Sequence, residues 1–256
     1  MTTPIQLVST DFDGTIFAEF ENPPVPGRLQ DLLSALQQRG VRWVINTGRD
    51  MSGLLEALGR AHVRVHPDYL VLVEREIYRR VQAEYVPLAD WNAACQRAHA
   101  ELFDRVRPHV PALLAWIEEH FEATLYADAW SPLCLIAATN GDADRIEAHV
   151  RAFCRTIPKL DWVRNDVYAR FCHADFNKGT ALAEVARQLG LQPAQVFAAG
   201  DHLNDLPMLN PRVAAHLGAP ANAVPPVRQA VLAAGGYVAA RPHGDGVAEA
   251  LERFIR

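Results

Sequence analysis

Cysteine is scarce in this chain of 256 residues. The four present (Cys95, Cys134, Cys154 and Cys172) lie far apart and form no C-x-x-C pair. Each sits among apolar residues, so it reads as a small buried hydrophobe rather than a ligand or nucleophile, as suits a reducing compartment. Long apolar runs are missing too. None reaches the ~20 residues a membrane span needs. No basic segment followed by an apolar one opens the chain, so a cytoplasmic location is expected. Positive charge is not in excess: 25 Lys and Arg against 30 Asp and Glu leave a formal −5, which gives no reason to expect nucleic acid or an anionic membrane as partner. The densest basic cluster, Arg75, Arg79 and Arg80, reads as a solvated face. No internal repeat or low-complexity tract stands out. What remains is half apolar and 21% charged, a globular composition long enough for one large domain or a core with an insertion.

Read in order, the apolar run Ile5-Gln6-Leu7-Val8 predicts a buried parallel strand that runs into Asp11-Phe12-Asp13-Gly14-Thr15. A stiff loop with Pro23, Pro24 and Pro26 follows. Leu29, Leu32, Leu33 and Leu36 then predict a helix over 27–39 that stops at Gly40. Val41–Asn46 reads as a second strand, ending in Thr47-Gly48-Arg49-Asp50 before a helix from Met51 to about Arg60. Tyr69–Val73 reads as a third strand, with an extended piece near Ile77-Tyr78. This is the rhythm of a doubly wound parallel sheet. Between about 81 and 173 the pattern changes to helix, helix, two strands, helix and an alternating stretch over 161–172, which predicts an inserted α+β module. Trp91, Trp116, Trp130 and Trp162 fall inside it, as core aromatics or as an apolar wall for a substrate. The first rhythm resumes with a helix over 178–189 and a buried strand over 196–199 ending in Gly200-Asp201-His202-Leu203-Asn204-Asp205. Short strands at 213–215 and 237–240 and an amphipathic helix over 246–256 complete the expectation. The predicted domains are therefore a core of 1–80 with 174–256 and a cap of 81–173.

Four polar groups fall at strand ends or helix starts: Asp11 with Asp13, Thr47-Gly48, Lys178, and Asp201 with Asn204 and Asp205. In a parallel sheet such ends share one edge, so groups distant in sequence converge there. Four aspartates converging in a cleft need cations. An all-oxygen, carboxylate-rich set without a His or Cys cluster suits a hard ion, Mg²⁺ above Zn²⁺. Lys178 adds a point charge for a phosphate, and Thr47 with Gly48 at a helix start offers a hydroxyl and backbone N–H groups. Together these describe phosphoryl transfer with a carboxylate nucleophile.

The motifs Asp11-Phe12-Asp13-Gly14-Thr15, Asn46-Thr47-Gly48-Arg49, Lys178-Gly179 and Gly200-Asp201-His202-Leu203-Asn204-Asp205, in this order and with a cap-sized gap, resemble the haloacid dehalogenase superfamily of phosphatases. The likeness is to its Cof-like and sucrose-phosphatase-like branch, whose α/β cap lies between the second and third motifs. The resemblance implies a Rossmann-like core and a Mg²⁺-dependent phosphoric monoester hydrolase acting on a small phosphorylated metabolite, a sugar phosphate foremost. Asp11 would form an aspartyl-phosphate. Asp13 would protonate the leaving oxygen and then activate water, with a raised pKa favoured by the neighbouring carboxylates. Mg²⁺ would be held by Asp11, the carbonyl of Asp13 and Asp201, with Asp205 in or near its shell. Thr47, Gly48, Lys178, Asn204 and the backbone around Phe12 would bind the phosphoryl group. A monomer or weak homodimer is expected. Two departures stand out: His202 replaces a small residue, and the stretch 72–78 lacks the Gly or Asn-Gly usual after the third strand.

A phosphomutase would use the same residues and return the phosphoryl group to substrate. A non-catalytic phospho-ligand binder on the same scaffold would be expected to have lost a catalytic position, and none is substituted here. A signalling receiver also combines acidic pairs, Thr and Lys, but its leading Asp would not sit on the first strand and it needs no insertion of this size.

Overall fold

The structure, a computed structural model, describes residues 4–255. β1 (Leu7–Thr10) is buried along its whole length. α1 (Gly27–Gln38) buries Leu29, Leu33 and Leu36, and Gly40 follows with φ 87°, the left-handed turn that ends helices. β2 (Arg42–Asn46) leads to α2 (Met51–Arg60), whose N-cap Asp50 accepts from the Gly53 amide. β3 (Tyr69–Leu72) then runs into a hairpin of β4 (Glu76–Val81) and β5 (Glu84–Pro87). Next come α3 (Ala89–Val106), α4 (Val110–His120), β6 (Ala123–Tyr126), β7 (Cys134–Ala137), α5 (Asn140–Cys154), β8 (Leu160–Asn165) and β9 (Tyr168–His173). The chain closes with α6 (Lys178–Gln188), β10 (Val196–Ala199), β11 (His216–Ala219), α7 (Pro225–Ala233), β12 (Tyr237–Val238) and α8 (His243–Ile255).

The chain divides into two compact units, 1–89 with 178–256 and 90–177. The first carries an eight-stranded sheet in the order β12-β11-β10-β1-β2-β3-β4-β5. Its six strands from β12 to β3 are parallel, and β4 and β5 extend it antiparallel. β1 lies between β10 and β2, so successive crossovers leave it in opposite directions. This is the switch point at which open α/β sheets form their ligand crevice. The second unit carries a four-stranded antiparallel sheet, β6-β7-β9-β8, packed with its helices around Leu102, Ile117, Ile146, Trp162 and Phe171. The exchange points lie later than the expected 81 and 173: the β4–β5 hairpin pairs with β3 and so keeps the chain in the large sheet as far as 87, and the return comes at Lys178, where α6 begins.

The alternating stretch over 161–172 is extended as expected and forms a hairpin, β8 and β9, turned at Asp166 with φ 54°. Two further local expectations are corrected. Val213-Ala214-Ala215 forms no strand: the amides of Val213 and Ala214 both bond the Asn210 carbonyl, which closes a turn, and β11 starts at His216. Arg75, grouped with Arg79 and Arg80 on a solvated face, is buried. The four cysteines are buried and none is in a disulfide.

Candidate active site

At the end of β1 the Asp11 amide still bonds the Ala199 carbonyl of β10. The next residues close on themselves, with Phe12 accepting from the amides of Ile16 and Phe17. Gly14 makes this turn possible. Its φ is 75°, and a Cβ there would lie 2.5 Å from Asp201 Oδ2, so only glycine fits. The Phe12 ring is fully buried and stacks on Phe17 at 4.8 Å.

Lys178 opens α6 and is almost wholly buried. Its Nζ donates to Asp11 Oδ1 at 2.6 Å and to Asp205 Oδ1 at 2.7 Å. The helix approaches so closely that a Cβ on Gly179 would lie 2.2 Å from the Pro207 carbonyl oxygen. Burial alone would pull the Lys178 pKa down; the charges of Asp11, Asp205 and Glu74 outweigh it and hold the ammonium protonated. Asp11 is shifted the other way. Desolvation raises its pKa well above the usual carboxylate range, Lys178 pulls against this, and Asp205 and Asp201 push it further up.

The turn after β10 supplies the remaining carboxylates. Asp205 accepts the amides of Asp201 and His202 on Oδ2 (2.8 and 3.0 Å) while Oδ1 takes Lys178, so both its oxygens are committed within the protein. Thr15 Oγ1 donates to Asp201 Oδ1 at 2.7 Å. The Asp201 carboxyl is pushed up to about 7, first by burial and then by Asp205.

Asp13 is held in a bidentate pair: Arg49 Nε and Nη2 reach its two oxygens at 2.8 and 2.6 Å, and the guanidinium stands 5.6 Å from the Phe12 ring centroid. Thr47 does not offer a free amide, because its N–H donates to the Val71 carbonyl and its hydroxyl accepts from the Arg49 amide. Helix α2 starts only at Met51, and the side chain of its N-cap Asp50 takes one first-turn amide, that of Gly53. What Thr47 retains is its hydroxyl hydrogen. After β3, Val73 and Glu74 adopt φ 49° and 66°, and the Arg75 amide closes the turn on the Leu72 carbonyl at 3.0 Å. Two successive left-handed residues are what Asn-Gly provides without strain, and each non-glycine there costs about 1–3 kcal/mol. Glu74 is buried and its Oε1 accepts from Asn204 Nδ2 at 2.9 Å.

Asp11, Asp201 and Asp205 present oxygens within 4.8 Å of one another, and Lys178 bonds two of the three, Asp11 and Asp205. Asp11 Oδ2 and Asp201 Oδ2 take no hydrogen bond from the described residues. The carbonyl oxygens of Asn46 and Asn204 are also buried without a partner. An acceptor-rich, charge-deficient, all-oxygen pocket fits a hard divalent cation. The oxygens free to hold it are those of Asp11 and Asp201. Asp205 organises the turn, and any contact with an ion would share Oδ1 with Lys178.

The structure thus brings together Asp11, Asp13, Thr47, Lys178, Asp201, Asn204 and Asp205 from four separated segments. It adds Thr15, Arg49 and Glu74, to which sequence reasoning gave no role. Thr15 and Arg49 stood inside quoted motifs, whereas Glu74 was marked only by the missing glycine.

A family model for haloacid dehalogenase-like hydrolases matches residues 117–251. A phosphoglycolate phosphatase of Methanoculleus marisnigri is 27% identical over 255 residues, covering 98% of this chain and 97% of its own. A putative phosphatase of Bacillus subtilis is 24% identical, with 98% of both chains covered. Among solved structures, the sucrose-phosphatase of Synechocystis, crystallised with sucrose and phosphate, superposes with a TM-score of 0.73 at 20% identity over 98% of each chain.

Proposed function

The chain belongs to the haloacid dehalogenase-like hydrolases as a phosphatase of the Cof-like branch, and on that footing we propose that it hydrolyses a small phosphorylated metabolite, a sugar phosphate foremost, through an aspartyl-phosphate on Asp11. The carrying observation is the buried Lys178 bridge. It pins one oxygen of Asp11 and leaves the other unbonded at the carboxyl end of the central strand. A carboxylate so held is oriented for in-line attack.

In the first step Asp11 Oδ2 bonds phosphorus and the bond to the leaving oxygen breaks, while Asp13 gives that oxygen its proton. In the second, Asp13 takes a proton from water, the water oxygen bonds phosphorus, and the Asp11–phosphorus bond breaks to free inorganic phosphate. Asp13 must leave its bidentate pair for either transfer, so Arg49 sets where the acid rests between steps. Lys178 and the Thr47 hydroxyl face the phosphoryl oxygens. Mg²⁺, held by Asp11, Asp201 and the carbonyl of Asp13, would offset the charge of the phosphate.

A phosphate-release screen with Mg²⁺ over sugar phosphates, nucleotides and phosphoglycerates tests this. Sugar phosphates are expected to rank first. The Methanoculleus relative supports a second reading, phosphoglycolate, which belongs in the same screen. Phosphoryl transfer to a second substrate molecule without release of phosphate would point to the mutase instead.

A further inference from the structure

We propose that Glu74 is a positioning residue for the phosphoryl side of the site and acts through Asn204; this rests on the phosphatase reading above. A primary amide can present either its oxygen or its nitrogen, and only its partners decide which. Asn204 is 6% exposed and its Oδ1 has no partner, so the one bond that fixes the amide is Nδ2–H to Glu74 Oε1. The Glu74 oxygen is the acceptor in this bond. It therefore holds the nitrogen on its own side and leaves the second N–H as the donor for a phosphoryl oxygen.

The backbone of the same turn is tied to the second motif. The Glu74 amide donates to the Thr47 carbonyl at 2.9 Å and the Val73 amide to the Arg49 carbonyl at 3.0 Å. Glu74 is thus bonded both to Thr47 and to Asn204, which are otherwise supplied by different strands. The φ of 66° is the telling feature, because glycine would take it without strain. A glutamate kept in a left-handed, buried position at a cost in stability is the pattern of a residue held for function.

The experiment compares wild type, Glu74→Gly, Glu74→Gln, Asn204→Ala and the Glu74→Gly/Asn204→Ala double variant with Mg²⁺. It reads kcat and KM for an aryl phosphate, the inhibition constant of inorganic phosphate, and Tm. Glu74→Gly should keep or raise Tm, yet lose about tenfold in kcat/KM, with phosphate inhibition weakened in step. Glu74→Gln retains an acceptor oxygen and should recover most of the activity. In the Asn204→Ala background Glu74→Gly should cost less than about twofold, since its target is gone. Undiminished turnover in Glu74→Gly, an equal loss in both backgrounds, or a Tm that falls with the activity would each overturn the proposal. Failure of the phosphatase reading looks different: wild type itself would then release no phosphate from any ester.

Discussion

Two of the buried cations, Arg164 in one compact unit and Lys178 in the other, make opposite use of the same chemistry. Arg164 on β8 spends its guanidinium entirely inside the protein. Nε donates to the Asp166 carbonyl, Nη1 to Asp144 and Glu147, and Nη2 to the carbonyl and side-chain oxygens of Asn140. Its carboxylate partners keep other support, Asp144 from solvent and Glu147 from Arg151. Lys178 faces more buried negative charge than it can neutralise, with acceptor oxygens nearby that bond nothing. A saturated buried cation is a fastener; an under-matched one marks a place prepared for something else. The residue types agree. This chain is rich in arginine, with Lys159 and Lys178 its lysines, and a fork suits many fixed acceptors where a compact ammonium suits a shared space.

The comparison can be broken by substitution. Asp11→Asn should have the largest effect, a loss of at least about a thousandfold in phosphate release, because an amide cannot carry the phosphoryl group. Near-normal turnover would remove the nucleophile assignment. Lys178→Met should lower kcat by about 10²–10³. Arg164→Met is its counterpart: removing one partner of a buried pair costs about 3–5 kcal/mol, read as a lower urea midpoint, while kcat per folded molecule stays at the wild-type value. If Arg164→Met lost turnover instead, the distinction between fastener and site would fall.

A smaller effect is expected from pH. The folded-state pKa of Asp201 lies near 7, above its unfolded value of 3.8, so the folded protein binds the proton more tightly. The stability this confers is complete below about pH 4 and is lost as pH rises through about 7. In EDTA the Tm should therefore fall between about pH 5.5 and pH 8, and Mg²⁺ should restore it most at the upper end. Asp201→Asn should flatten both responses. The smallest effect belongs to Trp162, which packs edge-on to Phe171 at 5.2 Å with its Nε1–H buried and unpartnered. Trp162→Phe loses volume and sheds an unsatisfied donor, so a stability change within about 1.5 kcal/mol and an unchanged substrate ranking are expected. A changed ranking would return this tryptophan to the substrate side.

The strands of the large sheet were legible because buried parallel strands are continuous apolar runs, and the acidic groups because they follow those runs directly. The sites at Asp11, Lys178 and Asp201 needed only that the strands lie side by side. What stayed hidden depends on tertiary partners. Helix α7 begins on Pro225 and Pro226, residues that read as loop until the first turn of a helix is seen to tolerate them. The β4–β5 hairpin has exposed edges and little apolar alternation. Arg49 reaches Asp13 across 36 residues and Glu74 reaches Asn204 across 130, separations at which no local pattern speaks.

The register of β1 has a consequence for synthesis. Leu7 pairs with Arg42 on one side and with Val196 on the other. A chain emerging from the ribosome can therefore offer β1 its first neighbour early, but the second only after the whole of 90–177 and α6 have been made. Until then one edge of the central strand lies open and Asp11 lacks its lysine. Early in translation the nascent chain holds an unmatched carboxylate beside an unpaired edge, so the interval before β10 emerges is one in which the central strand is open to wrong pairing.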